Sequence, residues 1–160
     1  MEKIYYFDNN ATSRVAPEAA KEMEPFFNDL YGNPSSMHFF GGANQKYLDL
    51  ARERVAKLLG AEPAEIIFTS CGTESDSTAL WSAIRAWPDK KHIITTKVEH
   101  PAVLNVCKFL ETQGYRITCL PVDSAGRLNL EDLKAALTSE TAIVSILWAN
   151  NETGVIFPVE

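Results

Sequence analysis

His92-Ile93-Ile94-Thr95-Thr96-Lys97-Val98-Glu99-His100-Pro101-Ala102-Val103 is the stretch on which the fold turns. Its first seven residues are mostly β-branched and apolar, the pattern of a short buried strand. From Ala102 to Thr112 the period changes. Val103, Val106, Phe109 and Leu110 recur at spacings of three and four, the stripe of an amphipathic helix. Downstream the alternation repeats: a strand over Tyr115 to Val122, a helix over Leu130 to Leu137 begun near Asn129, and an apolar strand over Ala142 to Trp148. Upstream, Glu65 to Thr69 reads as a strand, and residues 74 to 87 as a helix through Leu80, Ile84 and Trp87. Strands alternating with helices predict an α/β fold, a mainly parallel sheet with helices on both faces. In such sheets ligands bind beyond the carboxyl ends of the strands.

Nearer the amino terminus, Pro17 suits a first helical position, and Ala19, Ala20, Met23, Phe26 and Phe27 predict a helix over 17 to 30. Tyr31 to Gly42 has the composition of a loop. A longer helix is expected over 43 to 59, with Leu48, Ala51, Val55 and Leu58 on one face and Gly60 as its carboxyl cap.

The 160 residues suffice to bury roughly 70% of the unfolded surface in one core. With 46% hydrophobic and 22% charged residues, the composition excludes disordered and collagenous chains. A net charge of −6 argues against nucleic acid or an anionic membrane as the main partner, since both need clustered positive charge. No apolar run approaches the roughly 18 residues of a membrane span, and Met1 to Asn10 lacks a signal-peptide pattern, so a cytoplasmic location is expected. Cys71, Cys107 and Cys119 form no CxxC, which suits reduced thiols, and Cys107 and Cys119 are expected to be small buried hydrophobes. His38, His92 and His100 have no metal-ligand spacing, so no metal is expected.

Three polar clusters follow three strands. Ser70-Cys71-Gly72-Thr73-Glu74-Ser75-Asp76 runs straight into a helix. Backbone N–H groups at a helix start, a small residue and a hydroxyl make a phosphate cradle; an ordinary N-cap explains the same residues. The cluster lacks the Lys of a Walker loop and the spacing of a dinucleotide fingerprint. Glu99-His100-Pro101 offers an imidazole for stacking on a flat cofactor or for moving protons, or simply a His near a helix start. Ala149-Asn150-Asn151-Glu152-Thr153-Gly154 supplies two amides that could meet ligand oxygens, or merely an Asn-rich turn. All three would fall on one edge of the sheet. Cys71, beside a helix start, is also a candidate for a thiol of lowered pKa.

These runs, with Phe7-Asp8-Asn9-Asn10-Ala11-Thr12 and Gly32-Asn33-Pro34-Ser35-Ser36-Met37-His38, resemble in order and spacing the amino-terminal part of cysteine desulfurases. These are pyridoxal 5′-phosphate (PLP) enzymes of the class V aminotransferase group, fold type I. Ser70 to Ser77 and Trp148 to Gly154 look closest to the NifS type, which serves nitrogenase maturation. The resemblance implies that Gly72 and Thr73 bind the PLP phosphate, that His100 stacks on the ring and moves protons, and that Asn151 contacts the ring hydroxyl. It implies that residues 1–15 form an extended segment on the small-domain side and 16–160 the amino-terminal part of the large domain. It further implies L-cysteine as substrate, L-alanine and an enzyme persulfide as products, an iron-sulfur scaffold protein as sulfur acceptor, and a homodimer. The Ser-x-His-Lys segment, the mobile-loop Cys and the carboxylate-binding Arg of the family have no counterpart in these residues, so the chain alone is expected to be inactive. Cys71 matches a cofactor-loop position rather than that of the sulfur carrier. The sequence ends shortly after an apolar strand without a further helix, as expected for part of a larger domain. Two alternatives stay open: another class V enzyme, such as a selenocysteine lyase or an aminotransferase, and a non-catalytic truncated paralogue.

Overall fold

The structure, a computed structural model, describes residues 4–159, so residues 1–3 of the expected extended segment, and Glu160, lie outside it. The chain divides into two compact units between Phe68 and Thr69.

In the first unit, residues 4–16 contain no helix or strand, with a turn at 9–11. The helix expected over 17 to 30 is instead two, α1 (Pro17–Met23) and α2 (Pro25–Asn28). Pro25 has no N–H to continue the ladder and its ring crowds the preceding turn, so it restarts the helix. A single turn, α3 (Phe39–Gly42), follows inside the expected loop, capped by His38 Nδ1, which accepts from Gly41 N–H at 3.1 Å. Then comes α4 (Gln45–Leu59), which Gly60 ends in the left-handed conformation at φ +67°, as the sequence implies. Its buried residue is Ala56; of the expected apolar face, Ala51 and Val55 are half-buried while Leu48 and Leu58 are exposed. α4 rests on a 3-10 turn (Pro63–Glu65), too small an element to cover that whole face.

The strand expected over Glu65 to Thr69 does not form. Ile66 uses its ladder groups locally: its N–H donates to the Pro63 carbonyl, and its own carbonyl accepts from the Arg52 guanidinium. A reciprocal capping box between Glu62 and Glu65 fixes the preceding turn, leaving Ile67 and Phe68 exposed and unpaired with any strand.

The second unit carries the α/β fold. Helix α5 (Gly72–Ala86) leads into β1 (His92–Thr96), α6 (Pro101–Thr112), β2 (Arg116–Leu120), α7 (Leu130–Ala136) and β3 (Thr141–Val144). The sheet runs in the order β2-β1-β3 with both strand pairings parallel, Ile94 level with Thr118 and Val144. The strands are shorter than the apolar runs that predict them, because backbone pairing stops where the loops diverge.

The central strand has alternate residues on opposite faces. Ile93 packs with Leu80 and Ile84 of α5 and Val103, Cys107 and Leu110 of α6. Ile94 packs on the other face with Leu120, Leu128 and Phe157, beside Leu133 and Ala136 of α7. Helices therefore cover both faces, as expected. Cys107 is buried, and burial pushes its thiol up to about 11. Cys119 is exposed, contrary to expectation, because β2 is an edge strand and Cys119 lies near its open end. Among the described residues no helix is long and apolar enough to cross a membrane.

Candidate functional site

The connections of the second unit bring the three polar clusters to one edge. Helix α5 must end near the start of β1, only a short link away, so its first turn stands at the carboxyl edge of the sheet. His100 lies in the short loop from β1 to α6, and Asn150 and Asn151 lie in the segment after β3. Electrostatics agrees: Asp76, in the second turn of α5, adds like charge beside Glu99 at the end of β1.

Gly72 and Thr73 are the first two residues of α5. No side-chain oxygen or nitrogen caps this helix at Cys71, and although the Glu74 N–H turns toward the Cys71 thiol, the helix start keeps its positive field. A Cβ built on Gly72 would meet nothing within 4 Å, so the first turn faces open space. Glu74 folds back to accept from Ser70 N–H and Ser70 Oγ, both at 2.6 Å, and the Ser70 hydroxyl and N–H hold its carboxyl below the ordinary range. The negative charge of Glu74 is thereby held on Ser70. Cys71 is exposed, and the Glu74 N–H, with the Ser70 hydroxyl, lowers its thiol pKa. A dianionic phosphate suits this helix start.

His100 is the N-cap of α6: its Nδ1 accepts from Ala102 N–H at 3.1 Å. The capping role is thus realised, and it leaves a second function open. With Nδ1 used as an acceptor, the proton of the neutral ring is assigned to Nε2, on an exposed imidazole held by its cap bond. Such a ring can stack on a flat heterocycle and donate from Nε2. Asn151 is exposed in the turn after β3, where its Nδ2 donates to Glu152 Oε1 at 2.9 Å. These features fit the phosphate, ring and polar substituents of PLP.

The sequence reading gives Glu99 no role of its own, and it expects the Asn150 amide, with that of Asn151, to reach ligand oxygens. The structure instead engages the Asn150 amide with the Val98 carbonyl and with the N–H groups of Glu152 and Thr153. Glu99 and Asn150 are buried at this edge, 7% and 8% exposed, and their hydrogen bonds join the loops after β1 and β3. A carboxylate directly following an apolar strand is the signal for Glu99; next to His100 it reads as ordinary loop polarity. An apolar groove of about 340 Å³, lined by Leu128, Leu133, Val144, Ile146 and Phe157 among others, lies on the α7 face, away from these polar groups.

The chain is 59% identical over 98% of its length to a protein of Nostoc sp. called cysteine desulfurase, of which it covers 39%. It is 56% identical over 97% of its length to the cysteine desulfurase NifS of Azotobacter vinelandii, again 39% of that protein. Among solved structures, a NifS-like protein superposes with a TM-score of 0.92 at 46% identity, over 96% of this chain and 43% of the other. A structure described as SspA in complex with cysteine superposes at 0.90 with 35% identity, over 97% of this chain and 45% of the other. The chain therefore spans about 39% of the length of the curated relatives it matches. Its architecture is that of the corresponding part of PLP fold type I cysteine desulfurases. The model of the class V aminotransferases matches residues 5–160, and the chain belongs to that family.

Proposed function

We propose that this chain supplies the phosphate-facing and ring-facing part of the PLP site of a NifS-type cysteine desulfurase. The enzyme converts L-cysteine to L-alanine, and the sulfur leaves as an enzyme persulfide for an iron-sulfur scaffold protein, with nitrogenase as the ultimate client. The full enzyme is a cytoplasmic homodimer in this reading, with residues 1–15 on its small-domain side and 16–160 in its large domain.

The observation that carries the proposal is the convergence of an uncapped helix start, an exposed capping imidazole and an amide turn on one sheet edge. Bound PLP supplies an electron sink for carbanion chemistry at the substrate. Thr73 and the first N–H groups of α5 hold the phosphate dianion, and Gly72 keeps its approach clear. His100, steadied through Nδ1, would stack on the ring and donate or receive a proton at Nε2. Asn151 orients polar groups at the ring's edge. The covalent Lys and sulfur-accepting Cys come from segments without a counterpart among these 160 residues, so the chain alone does not turn over cysteine.

The test compares two ligands by titration calorimetry: pyridoxine 5′-phosphate, which has no aldehyde to react with surface lysines, and pyridoxine. Binding that requires the phosphate is expected. Equal binding of the two, or none, overturns the assignment. Cysteine-dependent alanine production above that of free PLP, lost in Cys71→Ala, would overturn the claim that the sulfur-accepting Cys lies elsewhere.

A further inference from the structure

Between β1 and β3 the backbone ladder ends where Ser145 N–H donates to the Ile94 carbonyl at 2.9 Å. Beyond that point side chains continue it, one from each loop. Glu99 Oε1 accepts from Leu147 N–H at 2.7 Å, reaching from the β1 loop to the segment after β3. Asn150 Nδ2 donates to the Val98 carbonyl at 3.0 Å, reaching the other way. Each is anchored on its own side. Thr96 Oγ1 donates to Glu99 Oε1 at 3.3 Å, and Asn150 Oδ1 accepts from Glu152 N–H, Thr153 N–H and Thr153 Oγ1 at 2.9 to 3.1 Å.

Burying a carboxyl and an amide in loops is costly unless both are used. Solvated residues would serve turns that needed no fixed separation. We infer that Glu99 and Asn150 are positioning residues, a reciprocal clasp that sets the spacing between the loops bearing His100 and Asn151. This rests on the reading of those loops as cofactor-facing. His100 is adjacent to Glu99 and Asn151 to Asn150, so any slack in the clasp passes directly to the groups proposed to meet the ring. Burial pushes the Glu99 carboxyl up, opposed first by the Leu147 N–H and then by the Thr96 hydroxyl; Asp76 raises it further and His100 lowers it. A carbonyl oxygen accepts from Leu147 in either protonation state, so Gln at this position should preserve the clasp.

The experiment titrates the full 160-residue chain with pyridoxine 5′-phosphate and measures thermal stability in parallel. Glu99→Ala and Asn150→Ala should each weaken binding about tenfold, the effect of one buried hydrogen bond that orients a ligand-facing group. The double variant should be little worse than either alone, since both act on one loop pair. Glu99→Gln should restore affinity to within about twofold if its oxygen replaces the carboxylate acceptor. Leu110→Ala, a core truncation, should lower stability with affinity retained, which separates positioning from mere destabilisation. If Glu99→Ala does not fold, Asn150→Asp replaces the donor to Val98 with an acceptor oxygen while keeping the Oδ1 bonds, and should show at least the same loss. Wild-type affinity in Glu99→Ala and Asn150→Asp, with Thr73→Ala still impaired, overturns the clasp alone. Unimpaired binding in Thr73→Ala and His100→Ala, or no binding by the unsubstituted chain, overturns the site reading and the clasp with it.

Discussion

The two ends of the central strand are built from different chemistry. At the amino end of β1, His92 is fully buried and lies between two threonines, Nδ1 at 2.9 Å from Thr141 Oγ1 and Nε2 at 2.8 Å from Thr118 Oγ1. One neutral ring spans all three strands. At the carboxyl end the polar groups are loops, a free helix start, exposed side chains and a buried carboxyl. The first arrangement satisfies its own hydrogen bonds and leaves nothing for a ligand. The second leaves N–H groups and an imidazole turned outward. Stability and binding are therefore assigned to opposite edges of one sheet, and substitutions at the two edges should separate them.

The largest effect is expected at the amino edge. His92→Ala removes two hydrogen bonds, leaves the Thr118 and Thr141 hydroxyls without their ring partner and opens a cavity between strands. A loss of about 3 kcal/mol is expected in urea unfolding, from two net hydrogen bonds plus the cavity. Affinity for pyridoxine 5′-phosphate, measured where the variant is folded, should be unchanged. A parallel loss of affinity would break the division between edges. Next in size is Thr73→Ala at the opposite edge. It should cost about 2 kcal/mol of ligand affinity, one charge-assisted hydrogen bond to phosphate. Its stability should move by under about 0.5 kcal/mol, as for an exposed position away from a cap bond. Calorimetric titration and unfolding on the same variant read both quantities.

Much of this division was legible in the sequence. The period change at Val98 to Ala102 marked the strand, the site and the following helix, and the three clusters fell on one edge because parallel topology leaves no other place for them. What was not legible depended on partners distant in the chain. His92 carries no ligand spacing, and only the parallel register places Thr118 and Thr141 at its two nitrogens. Glu99 looked like loop polarity until Leu147 N–H was seen 48 residues away. The Glu65 to Thr69 run has strand composition, yet Arg52 and Pro63 claim the hydrogen bonds of Ile66. The apolar period over 17 to 30 reads as one helix, but Pro25 lies inside it, and its missing N–H ends α1.

The smallest effect is a pair of opposing pH slopes. Desolvation lowers the pKa of His92 below its ordinary 6.5, with the Arg116 charge adding to the shift and Glu140 opposing it. The folded state then binds fewer protons than the unfolded state, so the contribution of His92 is present above pH 6.5 and is lost as the pH falls. Burial raises Glu99 above its ordinary 4.5. Here the folded state binds more protons, so its contribution is complete below pH 4.5 and is lost as the pH rises towards the raised value. Between these two ordinary values the slopes have opposite sign and partly cancel, each bounded by about 1.4 kcal/mol per pH unit for one proton. Glu74 and Asp123, both lowered, act on the acid side of that window. Removing one edge's titration should uncover the other. In Glu99→Gln, stability should climb with pH up to about 6.5, the ordinary value at which the imidazole of the unfolded chain loses its proton. In His92→Gln, whose amide still bridges hydroxyls, stability should fall as the pH rises from about 4.5. Urea midpoints taken across this range decide it: profiles that stay parallel in the two variants would show that neither buried group titrates differently on folding, and the electrostatic contrast between the edges would be lost.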